Sequence, residues 1–110
     1  TIDDIKADLK LQNYKNAFNN ATFLANRGDP EASAELAIMY LKGLGVSINK
    51  NKAFDYATKS ALGWDKKSVK GQILLGKFYL EGLGTKRNTT RAKDLFSKAA
   101  ENGSKEAKVL

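Results

Sequence analysis

The sequence predicts an all-α protein, an α-solenoid of stacked antiparallel helix pairs. Three observations predict it. The stretch YLKGLG at Tyr40 to Gly45 returns as YLEGLG at Tyr79 to Gly84, 39 positions later. Its surroundings recur at the same offset: Leu36-Ala37 answers to Leu75-Gly76, Asn49 to Asn88, Ala53 to Ala92, and Ser60-Ala61 to Ala99-Ala100. Between the glycine turns the apolar residues fall at helical spacing. Self-similarity of this length marks an array whose units bury their apolar faces against their neighbours.

The elements follow in chain order. In TIDDIKADLKL, Thr1 is placed to cap a short, degenerate helix with Ile2, Ile5 and Leu9 as its apolar stripe. Asp3 and Asp4 suit its first turn, and from adjacent positions they point apart, unlike a general acid and base. In NAFNNATFLANRGDPEA, the residues Ala17, Leu24, Ala25, Gly28 and Ala32 match the spacing of Ala92, Ala99, Ala100, Gly103 and Ala107, so residues 13–27 read as the second helix of a pair. The first complete unit opens with ASAELAIMYLKGLG, where Leu36, Ala37, Tyr40 and Leu41 form the inward stripe and Glu35 and Lys42 fall on the outer arc. Gly43 and Gly45 supply left-handed backbone to close this helix and turn the chain. Asn49 is placed to cap the next helix, with Ile48 and Ala53 at staple positions. That helix carries Ala53, Tyr56, Ala57, Ser60 and Ala61 on one face, four of them small, so two backbones can approach closely. The second unit repeats the scheme, with Gly82 and Gly84 as its turn, and SKEAKVL begins it again. Helices are expected near residues 2–10, 13–27, 31–42, 50–62, 69–81 and 89–102, with no strand. The chain divides accordingly into a degenerate helix pair (1–29), one repeat (30–65), a second (66–103) and the start of another (104–110).

The combination of leucine-small, tyrosine, Gly-x-Gly, capping residue, alanine, small pair and glycine resembles the Sel1-like repeat family, a relative of the tetratricopeptide repeats. One unit reads Leu36-Ala37, Tyr40, Gly43, Gly45, Val46, Asn49, Ala53, Tyr56, Ser60-Ala61 and Gly63. The next reads Leu75-Gly76, Tyr79, Gly82, Gly84, Asn88, Ala92, Leu95, Ala99-Ala100 and Gly103. The pattern departs from the family in three places: the caps are asparagine where aspartate is usual, Thr85 replaces the usual valine, and GWDKKSVKGQ is about four residues longer than the matching GDPEAS turn. The resemblance implies a TPR-like superhelix acting as a scaffold or adaptor that holds proteins together. Proteins of this kind serve in bacterial regulation, secretion and envelope assembly, and in eukaryotic membrane-protein quality control.

Composition narrows the function classes. The 110 residues contain no cysteine and no histidine, which removes thiolate nucleophiles, disulfides, the commonest neutral-pH base and the commonest metal ligands. No catalytic constellation assembles from what remains, so the expected protein is not an enzyme and takes no cofactor, metal or small-molecule substrate. No apolar run approaches the length of a membrane span. The chain begins at Thr1 rather than methionine, as an excised segment or processed product does. Lys and Arg number four against five Asp and Glu over residues 1–33, but fifteen against seven over residues 34–110. This basic excess, with clusters at Lys66-Lys67-Lys70 and Lys86-Arg87-Arg91-Lys93, allows a second class of partner, nucleic acid or another polyanion. The blander reading is that lysines solvate the outer helix faces, since no aromatic residues interleave with the cations as a base-stacking surface needs. An inhibitor or immunity partner of a toxin enzyme would be a variety of the scaffold.

The expected partner face follows from the helical wheel and from the placement of first helices on the concave side of such arrays. Ile38 and Lys77 occupy the same position in successive units, with Lys42 and Glu81 one turn later. Met39 and Phe78 lie beside this arc, either on it or in the core between units. Trp64, the one tryptophan, sits in the extended turn, as a rim contact for a partner or as a lid over the junction between units. Tyr40 and Tyr79 belong to the packing pattern, with rings between helices and hydroxyls bonded locally.

Overall fold

The computed structural model describes residues 1–63 and 68–103. They form six helices: α1 (Ile2–Lys10), α2 (Tyr14–Asn26), α3 (Pro30–Lys42), α4 (Lys50–Leu62), α5 (Val69–Glu81) and α6 (Thr89–Glu101). There is no strand among the described residues. Successive helices pack as neighbours, and α3 also touches α1 and α5, so first helices line one side of a solenoid.

The helix ends follow from caps. Thr1 and Asp4 make a reciprocal capping box on α1. Asp29 accepts from the amides of Glu31 (2.9 Å) and Ala32 (3.1 Å) at the start of α3. Its helix begins at Pro30, one residue before the expected start, because proline at the first helical position forfeits only an amide that has no partner there anyway. Asn49 and Asn88 cap α4 and α6, each accepting at 3.0 Å from the amide three residues on. Gly43 (φ 72°) and Gly82 (φ 70°) close α3 and α5 in left-handed conformation. Behind them Leu44 and Leu83 donate back to the Met39 and Phe78 carbonyls, both at 2.9 Å. The chain then returns to its own helix, where Asn49 and Asn88 donate to the Tyr40 and Tyr79 carbonyls at 2.9 and 2.8 Å.

The core is continuous from Ile5 to Leu95 and is built largely from alanine. Ala17, Ala21 and Ala25 on α2, and Ala53, Ala57 and Ala61 on α4, are buried, which allows the close helix approach that the small stripe predicts. Met39 (0 % exposed) and Phe78 (1 %) belong to this core rather than to the outer arc. A second cluster of Ile73, Ala92, Phe96 and Ala99 lies within the α5–α6 pair. Ser60, fully buried on α4, donates to the Pro30 carbonyl of α3 at 2.6 Å, and Gly71 of α5 rests against the same serine.

The steps between helix pairs use the same contacts twice. Gly45 lies against the Tyr14 carbonyl at the start of α2, and Gly84 against the Lys50 carbonyl at the start of α4. Phe18 of α2 meets Tyr40 edge-on (5.5 Å, 82°), and Phe54 of α4 meets Tyr79 likewise (5.5 Å, 86°). The longer GWDKKSVKGQ connection therefore leaves the inter-pair geometry at the glycine-turn end unaltered. One sequence expectation fails. Glu35 is not on the outer arc but buried at 6 % exposure, where it pairs with Lys70 of α5. A helical wheel for α3 alone puts it in water; the neighbouring first helix covers it and supplies its cation.

Candidate partner-binding groove

Where α3 and α5 run side by side they leave an open groove of about 370 Å³. Ile38 of α3 faces Val69, Lys70, Ile73, Leu74 and Lys77 of α5 across it. Lys70, Ile73, Leu74 and Lys77 fall at i, i+3, i+4 and i+7 along one helix face, with Val69 beside Lys70, so two cations one heptad apart bracket an apolar floor. Ile73 is buried at 8 % exposure; Ile38, Leu74 and Lys77 are half-buried. Lys70 is about half exposed while its partner Glu35 lies beneath it, so the ammonium neutralises a buried carboxylate and still faces the groove. A surface of this kind offers apolar area, shape and a positive rim.

Of the sequence-derived contact residues, Ile38 and Lys77 come together on this groove. Lys42 and Glu81 are exposed one turn further along their helices and do not line it. Trp64 lies outside the described residues, as do Lys66 and Lys67 and the segment from residue 104 onward. Val69, Lys70 and Ile73 were missed from the sequence, because their place at the groove depends on how α5 lies against α3. The Tyr40 ring meets Phe18 edge-on and lies parallel to Tyr56, the Tyr79 ring meets Phe54 edge-on, and of the two hydroxyls that of Tyr79 accepts a hydrogen bond, from Arg91 at 3.2 Å.

Several cations outside the groove are engaged individually. Lys52 lies over the Tyr40 ring (5.5 Å), Arg91 over Tyr79 (5.6 Å) and Lys59 over Tyr56 (4.8 Å), while Lys98 pairs with Asp94 (3.2 Å). These four charges sit over individual rings or beside a carboxylate. Among the described residues no cluster of three or more acidic side chains is placed to hold a metal ion, and no helix is long and apolar enough to cross a membrane.

Known proteins share this construction. A solved Sel1 repeat protein from Oxalobacter formigenes superposes with a TM-score of 0.84 at 28 % identity, over 96 % of this chain and 42 % of that one. The solved structure of c5321, a protective antigen of uropathogenic Escherichia coli strains displaying an SLR fold, superposes at 0.78 with 31 % identity, over 86 % of this chain and 20 % of that one. The chain thus spans less than half the length of either protein. No curated protein sequence matches it. The Sel1 repeat profile matches residues 30–63 and again 69–104, well over half of the chain. This protein belongs to the Sel1 repeat family.

Proposed function

We propose that this protein is a non-catalytic scaffold that holds a segment of a partner protein on the side formed by its first helices. Sel1 repeat proteins are generally protein-interaction modules and typically non-catalytic. The observation that carries the reading is the groove in which Ile38 and the α5 apolar residues form a floor between Lys70 and Lys77. In this reading the partner segment lies across Ile38 and Lys77 and continues past Lys42 and Glu81, with Trp64 at its rim. Residues 1–29 serve as a degenerate helix pair at one end, residues 30–65 and 66–103 as the two repeats, and residues 104–110 open a further one.

The test is selection of displayed peptides against the whole chain, followed by capture with the double variant Ile38→Asp/Lys77→Glu. Capture is expected to be lost while helicity and melting temperature stay at the parent values, since Ile38 and Lys77 are both half-buried at the groove and neither belongs to the packed core. Undiminished capture by the folded variant would remove the groove from the reading. The basic excess of residues 34–110 is the one observation on the side of a polyanion partner. Retention on a phosphate-bearing matrix separates the two: a scaffold should lose retention mildly with salt, a polyanion binder steeply, with a slope set by the number of phosphates contacted.

A further inference from the structure

A second opening, sharing no residue with the groove, lies in the α5–α6 pair. Its volume is about 350 Å³, and Leu75, Tyr79, Arg91, Asp94, Leu95 and Lys98 surround it. Leu62 of α4, 54 % exposed, stands at its edge. The origin of this slot is legible by comparison with the α3–α4 pair, where the same positions occur 39 residues earlier as Tyr40, Lys52, Asp55, Tyr56 and Lys59. There the Tyr56 ring lies parallel to Tyr40, 5.8 Å away with 5° between the planes, and Lys59 covers the Tyr56 ring from 4.8 Å. In the α5–α6 pair the residue in the place of Tyr56 is Leu95, too short to reach across the tyrosine face. No ring among the described residues lies parallel to Tyr79; its one ring neighbour, Phe54, meets it edge-on. The slot includes the place where the α3–α4 pair carries the Tyr56 ring.

Three further features say what would fill it. The floor is apolar and fixed, since Leu75 and Leu95 are buried (1 % and 6 % exposed). Arg91 over Tyr79 does not pre-empt the position, because Lys52 and Tyr56 share Tyr40 in the same way at 5.5 and 5.8 Å. The rim carries two cations, Arg91 and Lys98, against one carboxylate, Asp94, so a single negative charge beside the incoming ring would balance it. The site also stays open in a stacked array: Lys52, Asp55 and Lys59 remain exposed and Tyr56 half-buried although α5 and α6 are stacked on their pair.

We propose that this slot binds an aromatic side chain with a carboxylate beside it, supplied by a protein partner, the ring stacking on Tyr79 as Tyr56 stacks on Tyr40. The site is independent of the α3–α5 groove. It is tested with N-acetyl-tyrosinate, N-acetyl-leucinate and N-acetyl-tyrosinamide titrated into the whole chain, following the Tyr79 ring and Arg91 side-chain resonances. N-acetyl-tyrosinate should bind roughly two- to tenfold more tightly than the leucine compound, the margin that a stacked ring pair supplies, and more tightly than the uncharged amide. Leu95→Tyr should fill the slot from within and abolish the response, whereas Ile38→Asp/Lys77→Glu should leave it unchanged. Tyr56→Leu should open the matching position beside Tyr40 and add shifts at that ring, which keeps the test decisive if Leu95→Tyr does not fold. Equal binding of the leucine compound or of the amide, an undiminished response in folded Leu95→Tyr, or no new shifts at Tyr40 in Tyr56→Leu would overturn the proposal.

Discussion

Four glycines with φ between 65° and 74° stand in the two turns, and they do two different jobs. Gly43 and Gly82 end helices; a methyl on Gly82 would come no nearer than 3.3 Å to the Arg87 amide nitrogen. Gly45 and Gly84 instead let one helix pair touch the backbone of the pair before it. A methyl on Gly45 would fall 2.5 Å from the Tyr14 carbonyl oxygen, and one on Gly84 would press harder still on the Lys50 carbonyl. Gly28, at φ 89° with nothing within 4 Å, measures the conformational cost alone. Gly28→Ala is expected to cost about 1 kcal/mol, the penalty of placing a side chain in left-handed backbone. Gly84→Ala should cost at least about 3 kcal/mol, because the Lys50 turn must also give way. Urea unfolding of the two variants checks this; equal costs would mean that the junction is soft. The left-handed conformation was legible in the Gly-x-Gly spacing. The backbone contact was not, because its partner lies more than thirty residues away. Glu35 was misplaced for the same reason, its cation arriving from α5.

At the scale of the helix pair, the two repeats solve one packing problem with different residues. Ala37 on α3 and Ala57 on α4 are buried and small; their equivalents 39 residues on are Gly76 and Phe96. A methyl on Gly76 would fall 2.5 Å from the Phe96 ring, so the larger side chain on α6 depends on a missing one on α5. Gly76→Ala alone should destabilise by about 1 to 3 kcal/mol through overpacking, and Phe96→Ala alone by about 3 to 5 kcal/mol through the cavity it leaves. Together they restore the residues of the α3–α4 pair. The double variant should therefore cost less than the sum of the singles by at least about 1 kcal/mol. Additive costs would show that the ring swings clear of the new methyl without penalty. Helix type, caps and boundaries were readable because they depend on neighbours within one turn; the groove was half readable, since Ile38 and Lys77 came from a shared repeat position while Lys70 and Ile73 needed the α3–α5 approach.

At the scale of the whole molecule, the junctions decide whether the six described helices behave as one body. A search at a single 39-residue period overlooks them, because the pairing residues Tyr14 and Phe18 on α2 precede their counterparts Lys50 and Phe54 on α4 by 36 positions. With the two offsets read separately, the Phe18–Tyr40 and Phe54–Tyr79 contacts are the same contact, made at each step. In an array of stacked units stability is the sum of what each unit holds internally and what each interface adds. The α5–α6 pair has an internal cluster in Ile73, Ala92, Phe96 and Ala99, and joins the main core through Leu75, Phe78 and Leu95. Phe54, half-buried, packs on that core from α4 and carries the aromatic contact to Tyr79. Phe54→Ala should thus remove interface energy, about 2 kcal/mol for a ring that is only partly covered, and little that α5 and α6 hold between themselves. Amide hydrogen exchange distinguishes the consequences. If the junction is the weak link, protection in α5 and α6 falls tenfold or more while α1 to α4 keep most of theirs, because the α5–α6 pair opens alone. A uniform loss over all six helices would instead show that the continuous alanine core binds the pairs into a single cooperative unit, with no separate step at the junction.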